Sequence, residues 1–155
     1  MASLLEEFIG IVNALNEQKI DYAVCGGWAM AIHGFLRATT DIDILILAED
    51  LERVKTTAIE LGFDIEGLPL NFDGGKTLIR RISKIDAETK TLITLDMILA
   101  TEVYEKAWTG RRLVKWNNGE YRVVDTEGMI EMKERARRPK DLIDLEFLRG
   151  RGNES

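Results

Sequence analysis

The stretch AVCGGWAMAIHGFLRATTDIDILIL, residues 23–47, contains two apolar runs that are typical of buried strands. The first run, residues 22–25, stops at Gly26-Gly27, and residues 28–35 beyond it have the composition of a helix. The second run, residues 41–47, is rich in β-branched residues and begins with Asp41-Ile42-Asp43. The stretch therefore predicts a strand, a glycine turn, a short helix and a second strand that starts with two carboxylates.

On either side of this stretch, the apolar spacing predicts further helices and antiparallel strands. Ser3-Leu4-Leu5-Glu6 is typical of a capping box, and the apolar residues that follow recur at helical spacing. The pattern predicts helices over residues 3–16, 50–62, 101–109, 126–137 and 139–148, and hairpins over 77–99 and 111–124, the second around Asn117-Asn118-Gly119. This order predicts an α+β fold, in which a small mixed sheet has helices packed against it and helices close the chain.

Length and composition limit the classes of protein to consider. A chain of 155 residues predicts one domain over residues 1–150, followed by a disordered tail at 151–155. No apolar run approaches the roughly 20 residues of a membrane helix. Cys25 is the only cysteine and His33 the only histidine, so neither an internal disulfide nor a Cys/His zinc site can form. We expect a cytoplasmic protein without a membrane partner, and the net charge of −6 disfavours non-specific coating of DNA.

Three aspartates are candidates for chemistry. Side chains alternate along a strand, so Asp41 and Asp43 share one face while Ile42 and Ile44 occupy the other. Two carboxylates on an apolar strand are costly unless a cation or hydrogen-bond donors compensate them; alternatively, both lie at an exposed strand start and are solvated. In residues 91–99, alternate residues from Thr91 to Leu99 share one face and leave Asp96 on the other, either as a third member of the set or as an isolated, solvated residue.

The glycine turn adds a phosphate-binding element to these carboxylates. Free backbone N–H groups at a helix start attract anions, and Gly26-Gly27 would allow a phosphate to approach closely. Carboxylate oxygens suit Mg²⁺ or Mn²⁺, and two such ions can activate a hydroxyl and neutralise a leaving pyrophosphate. Together, these are the parts needed for two-metal phosphoryl or nucleotidyl transfer.

These residues resemble the nucleotidyltransferase superfamily that includes DNA polymerase beta. The resemblance rests on Gly26-Gly27-Trp28, then Asp41-Ile42-Asp43 twelve residues later, and then Asp96 in a strand. Residues 133–148 are also similar to the helical segment of AbiEii-like toxin nucleotidyltransferases, a minimal bacterial branch, and the chain is more distantly similar to lincosamide and aminoglycoside nucleotidyltransferases. The serine that commonly follows the first glycine of the superfamily motif is absent here.

The resemblance implies a role for each matching residue. Asp41 and Asp43 would hold both metal ions, and Asp96 would hold the ion that activates the acceptor hydroxyl and would take its proton. The nucleoside triphosphate would be bound through its phosphates by Gly26 and Gly27, with support from a second group. That group consists of Arg37 and Thr39, which precede the carboxylates, and Lys133, which would face the active site from its helix. Alternatively, Lys133, Arg137 and Asp141 form surface ion pairs at helical spacing.

The predicted activity is Mg²⁺-dependent transfer of a nucleoside monophosphate from a nucleoside triphosphate to a hydroxyl, with release of pyrophosphate. The acceptor stays open among a small molecule, a protein side chain and a tRNA end. A second hypothesis makes the protein a binding module or the toxin of a toxin–antitoxin pair, which acts through an antitoxin protein or RNA. The basic stretch Arg135–Lys140 and the short chain favour this alternative.

Overall fold

In a computed structural model of the chain, residues 4–35 and 39–154 are described, with side chains through residue 150. Ser3 of the predicted capping box lies outside these residues. The described residues form six α-helices and eight strands. The helices are α1 (Leu4–Glu17), α2 (Gly26–Ile32), α3 (Leu51–Glu60), α4 (Glu105–Thr109), α5 (Thr126–Ala136) and α6 (Pro139–Glu154). The strands are β1 (Ala23–Cys25), β2 (Asp41–Ile46), β3 (Ile65–Glu66), β4 (Leu70–Phe72), β5 (Thr77–Ile85), β6 (Leu92–Leu99), β7 (Arg112–Trp116) and β8 (Gly119–Val123).

The strands form one mixed sheet in the order β3-β5-β6-β2-β1-β8-β7, with β4 paired to β5. Strand β2 runs parallel to β6, β1 runs parallel to β8, and the other pairs are antiparallel. The predicted α+β fold with a mixed sheet and closing helices is thereby confirmed. The prediction missed β3 and β4 because strands of two and three residues are too short to show an alternating pattern.

The core lies on the face of β2 opposite its carboxylates. Ile42 and Ile44 are fully buried there, as the alternation predicted. Helix α1 adds an apolar stripe at helical spacing, with Phe8 in ring contact with Trp28 of α2 at a centroid distance of 4.6 Å. Burying one such aromatic side chain contributes about 1.5–3 kcal/mol, so this contact holds α2, and the glycine turn that begins it, against the core.

Helix α2 spans Gly26–Ile32 against a predicted 28–35, and α4 begins at Glu105 against a predicted 101. Two further differences concern the second hairpin and α6. The second hairpin turns at Asn117 and Asn118, whose φ angles of 46° and 63° fit a type I′ turn, so Gly119 begins β8 instead of occupying the turn. Helix α6 continues to Glu154, six residues beyond the predicted end. Within residues 4–35 and 39–154, no helix combines the length and apolarity needed to cross a membrane.

Candidate active site

The three candidate aspartates lie on one face of two neighbouring strands. Asp41 and Asp43 are two residues apart in β2, so their side chains share a face. Asp43 is the direct partner of Asp96 across the parallel ladder between β2 and β6. Residues paired across a ladder project to the same side of the sheet, and all three carboxylates line one pocket of about 640 Å³.

The glycine turn packs directly against this cluster. Gly26 begins α2 with a φ of +65°, and a Cβ atom built there would lie 2.1 Å from Oδ2 of Asp43. A Cβ atom on Gly27 would lie 2.4 Å from Oγ1 of Thr39. The absence of both side chains therefore lets Asp43 and Thr39 approach the backbone of the turn. Thr39 also donates a hydrogen bond to the carbonyl oxygen of Asp41, at 3.2 Å, and so is tied to the start of β2.

Asp96 is held by an arginine that the sequence analysis did not single out. Arg81 in β5 is the cross-strand partner of Asp96, and its Nε and Nη2 atoms donate to the two carboxylate oxygens at 2.7 and 3.0 Å. Asp96 is buried, so the alternative of an isolated, solvated aspartate is wrong. The predicted hairpin contained the signal: closing its strands around residues 86–91 places Arg81 opposite Asp96.

The carboxyl group of Asp43 has a strongly raised pKa. Burial raises its pKa to about 7, and the neighbouring charges of Asp96 and Asp41 act in the same direction, against a smaller lowering by Lys133 and Lys140. Asp43 is therefore not the well-solvated residue of the alternative interpretation. A cation placed beside it would remove both the burial cost and the repulsion, so the site favours a positively charged ligand.

The cluster has the right donor chemistry for a magnesium ion but is not arranged around one. Carboxylate oxygens are the ligands that Mg²⁺ and Mn²⁺ prefer, and Asp41 and Asp43 present them to the pocket. Among the described residues, however, no three His, Cys, Asp or Glu side chains are grouped closely enough to hold a metal ion. Because Arg81 donates to both oxygens of Asp96, a metal ion would compete with this guanidinium for the third carboxylate.

Lys133 lines the pocket, but its ammonium group forms buried ion pairs. Its Nζ lies 3.2 Å from Oδ1 of Asp141 and 2.9 Å from Oδ2 of Asp144, and both carboxylates are fully buried. The surface ion pairs of the alternative interpretation are therefore replaced by a buried cluster that joins α5 to α6. Arg138 completes it through its backbone and side-chain N–H groups, which donate to Asp141 and help to lower the pKa of that carboxyl against the effect of burial.

Both charged and apolar residues line the pocket. Strand β4, which the sequence did not reveal, contributes Leu70 and Phe72 to the apolar wall. The basic residues of the rim come from the end of α5 and the start of α6. Arg135 forms an ion pair with Asp73 at 2.6 Å, whereas the side chain of Lys140 is exposed. Arg37, the remaining candidate for phosphate binding, lies outside the described residues.

Comparisons with known proteins find similar structures but no similar sequence. No protein-family model matches the chain, and no curated protein matches it. The chain is similar to TM1012 from Thermotoga maritima, to which a nucleotidyltransferase function is attributed; the TM-score is 0.64 at 16% identity, over 97% of this chain and 93% of that one. It is also similar to the antibiotic-resistance factor ANT(2'')-Ia in complex with adenylyl-2''-tobramycin, with a TM-score of 0.63 at 15% identity, over 90% and 84% of the two chains.

A third similar structure is JHP933 from Helicobacter pylori, with a TM-score of 0.59 at 19% identity. This match covers 93% of the present chain but 63% of the other one, so JHP933 carries additional structure. At these identities the comparisons speak to architecture, and they do not single out the AbiEii-like branch. The chain has the fold of the nucleotidyltransferases.

Proposed function

We propose that this protein transfers a nucleoside monophosphate from a nucleoside triphosphate to a hydroxyl group and releases pyrophosphate. One observation carries the proposal: Asp41, Asp43 and Asp96 share a face, next to the Gly26 turn, in a pocket of a nucleotidyltransferase fold. An ordinary structural role does not account for Asp43, because burial and two like charges raise its pKa to about 7 and therefore cost stability at neutral pH.

In this proposal, the glycine turn binds the phosphates. Gly26 and Gly27 line the pocket without side chains of their own, and Asp43 and Thr39 pack against them, so a polyphosphate would approach the turn beside these two residues. Thr39 is tied to the start of β2, and its hydroxyl lies beside Gly27. Arg37, two residues before Thr39 in the sequence, would add a positive charge for the phosphates.

The three carboxylates would hold divalent cations and move a proton. Asp41 and Asp43 offer the oxygen ligands that Mg²⁺ or Mn²⁺ prefers. When bound, such ions would activate the attacking hydroxyl and neutralise the charge of the pyrophosphate as it leaves. Asp96 would accept the proton of the acceptor hydroxyl on a carboxylate oxygen. Lys133 would act indirectly, since its bonds to Asp141 and Asp144 hold together the two helices that form the basic rim.

The test is transfer of radioactive label from each of the four α-³²P-labelled nucleoside triphosphates in the presence of Mg²⁺. Candidate acceptors are tobramycin, total tRNA and the protein mixture of the source cell, each tested separately. We expect label on one acceptor class with the unaltered chain and none with Asp41→Asn or Asp43→Asn. Asp64→Asn is the matched control, because Asp64 is exposed and does not line the pocket. Equal labelling by the pocket variants and the control would refute the proposal.

A second candidate function is binding of a protein or RNA partner, including an antitoxin. It is favoured by the basic rim, in which Arg138 and exposed Lys140 lie beside the pocket. Affinity capture from the source cell with a variant that lacks all three carboxylates separates the two functions. A stoichiometric partner retained by this variant would support binding as the main function, and loss of the partner together with transfer activity would support the enzyme alone.

A further inference from the structure

The pair formed by Arg81 and Asp96 is unusual for a site proposed to hold metal ions. Both oxygens of Asp96 accept hydrogen bonds from one guanidinium, at 2.7 and 3.0 Å. The carboxyl side chain is 9% exposed, whereas the arginine side chain is 43% exposed. The buried partner is therefore fixed in the wall of the pocket, and the exposed partner can move without opening the core.

A guanidinium and a divalent cation cannot hold this carboxylate in the same way at the same time. A fork-like pair of hydrogen bonds from arginine uses both oxygens of the carboxylate and is among the strongest polar contacts in proteins. Asp96 also reinforces the positive charge of its partner, since the hydrogen bond between them raises the pKa of Arg81. A metal ion that binds the same lone pairs of Asp96 must displace these bonds, and one that binds the remaining lone pairs meets the like charge of the guanidinium.

We propose that Arg81 and a divalent cation compete for the carboxylate of Asp96, so that Arg81 sets the metal affinity of the pocket and couples it to nucleotide binding. The inference rests on the proposed function, because it takes Asp96 as a metal ligand. Arg81 is a positioning residue here: it holds Asp96 in place in the absence of ligands.

The position of Arg81 indicates how the coupling works. Thr77, Ile79 and Arg81 alternate along β5 and all line the pocket, so a displaced guanidinium remains inside it. A bound triphosphate would give this guanidinium a new anionic partner and compensate the loss of Asp96. Nucleotide would thereby favour the state in which Asp96 is available to the metal, and by linkage the metal would favour nucleotide binding to the same extent.

The experiment measures binding of Mn²⁺ alone, by the electron paramagnetic resonance signal of the free ion, so it requires no catalytic turnover. We expect Arg81→Met to bind Mn²⁺ about tenfold more tightly than the unaltered chain, because the competitor is gone. Arg81→Lys keeps the charge but lacks the two-pronged contact and should give an intermediate affinity. Arg81→Lys also provides the test if Arg81→Met fails to fold.

Arg80→Met is the matched control, since Arg80 is the neighbouring residue, carries the same charge and hydrogen-bonds to Asn71 outside the pocket lining. It should bind Mn²⁺ as the unaltered chain does. The affinity for α,β-methylene ATP, measured with Mn²⁺ and with EDTA, should depend on the metal more strongly in the unaltered chain than in Arg81→Met.

The outcomes separate this inference from the proposed function. If Asp43→Asn abolishes Mn²⁺ binding while Arg81→Met and Arg81→Lys bind it no more tightly than the unaltered chain, the competition is refuted and the metal site stands. If Asp43→Asn has no effect on Mn²⁺ binding, the proposed metal site itself is wrong. An equal gain in Mn²⁺ affinity for the Arg80 and Arg81 variants would show that the loss of any nearby positive charge has this effect. It would also overturn the inference.

Discussion

Replacing Asp43 by Asn should stabilise the protein at alkaline pH, although it removes a proposed catalytic group. The carboxyl group has an ordinary pKa of 3.8, which is raised to about 7 in the fold by burial and by the charges of Asp96 and Asp41. Between these two values the folded chain keeps a proton that the unfolded chain has lost. The free energy of unfolding therefore falls as the pH rises through this window, and above about pH 7 the full penalty is present.

The magnitude follows from the width of that window. Each unit of pKa difference corresponds to about 1.4 kcal/mol, so the full penalty is at most about 4 kcal/mol. From pH 5 to pH 8.5, about two units of the window are crossed, which corresponds to about 3 kcal/mol. The pocket is open to water, which screens part of the repulsion, so we expect a difference of about 1–3 kcal/mol. For a chain of this length, that corresponds to a rise in Tm of several degrees.

The assay is urea unfolding at pH 5 and pH 8.5, in EDTA, for the unaltered chain, Asp43→Asn and the exposed control Asp64→Asn. The advantage of Asp43→Asn over the unaltered chain should grow between the two pH values, while the control shows no such growth. Addition of Mg²⁺ at pH 8.5 should stabilise the unaltered chain and leave Asp43→Asn nearly unchanged. A pH-independent difference, or an advantage that shrinks as the pH rises, would refute this account of the buried carboxyl.

Two further predictions concern the glycine turn and the buried ion cluster. Gly26→Ala should lower the free energy of unfolding by about 1–3 kcal/mol, because the added methyl group collides with a carboxylate oxygen of Asp43 at a positive φ. Gly10 has open space around it in α1, so Gly10→Ala should leave the free energy of unfolding unchanged or raise it by up to about 1 kcal/mol. Lys133→Met should cost about 3–5 kcal/mol because it removes the ammonium group that two buried carboxylates share, and adding Asp144→Asn should recover part of this loss. Urea unfolding at pH 7.5 measures all four; an unchanged Gly26 variant, or a double variant no more stable than Lys133→Met, would contradict these predictions.

The fold was predictable where the sequence repeats a pattern over many residues. Alternation in β2, β5 and β6 and helical spacing in α1 gave both the elements and their buried faces, because periodicity reflects which side of an element meets the core. Strand β3 lacked such a signal, since its two residues are both exposed and pair with β5 only through the backbone. Its position depends on the tertiary fold and not on local preference.

The candidate site was predictable in its residues but not in its connections. The motif spacing selected three aspartates and two glycines, and the structure brings all five to one pocket. What the sequence could not supply was the partner of each charge. The contact of Lys133 with Asp144 depends on how α5 and α6 pack together, which no spacing within one helix determines.

The buried carboxylates of the pocket differ in whether an ion pair among the described residues compensates their charge. The Lys133 cluster and the pair of Arg81 with Asp96 each place opposite charges in contact, so burial there is compensated within the chain. Asp43 differs from both, because the described residues give it no ion pair and its pKa is raised to about 7. A fold selected for stability alone would avoid this cost, for example with Asn at the same position. A cation bound beside Asp43, at the point where the glycine turn meets β2, would remove this cost.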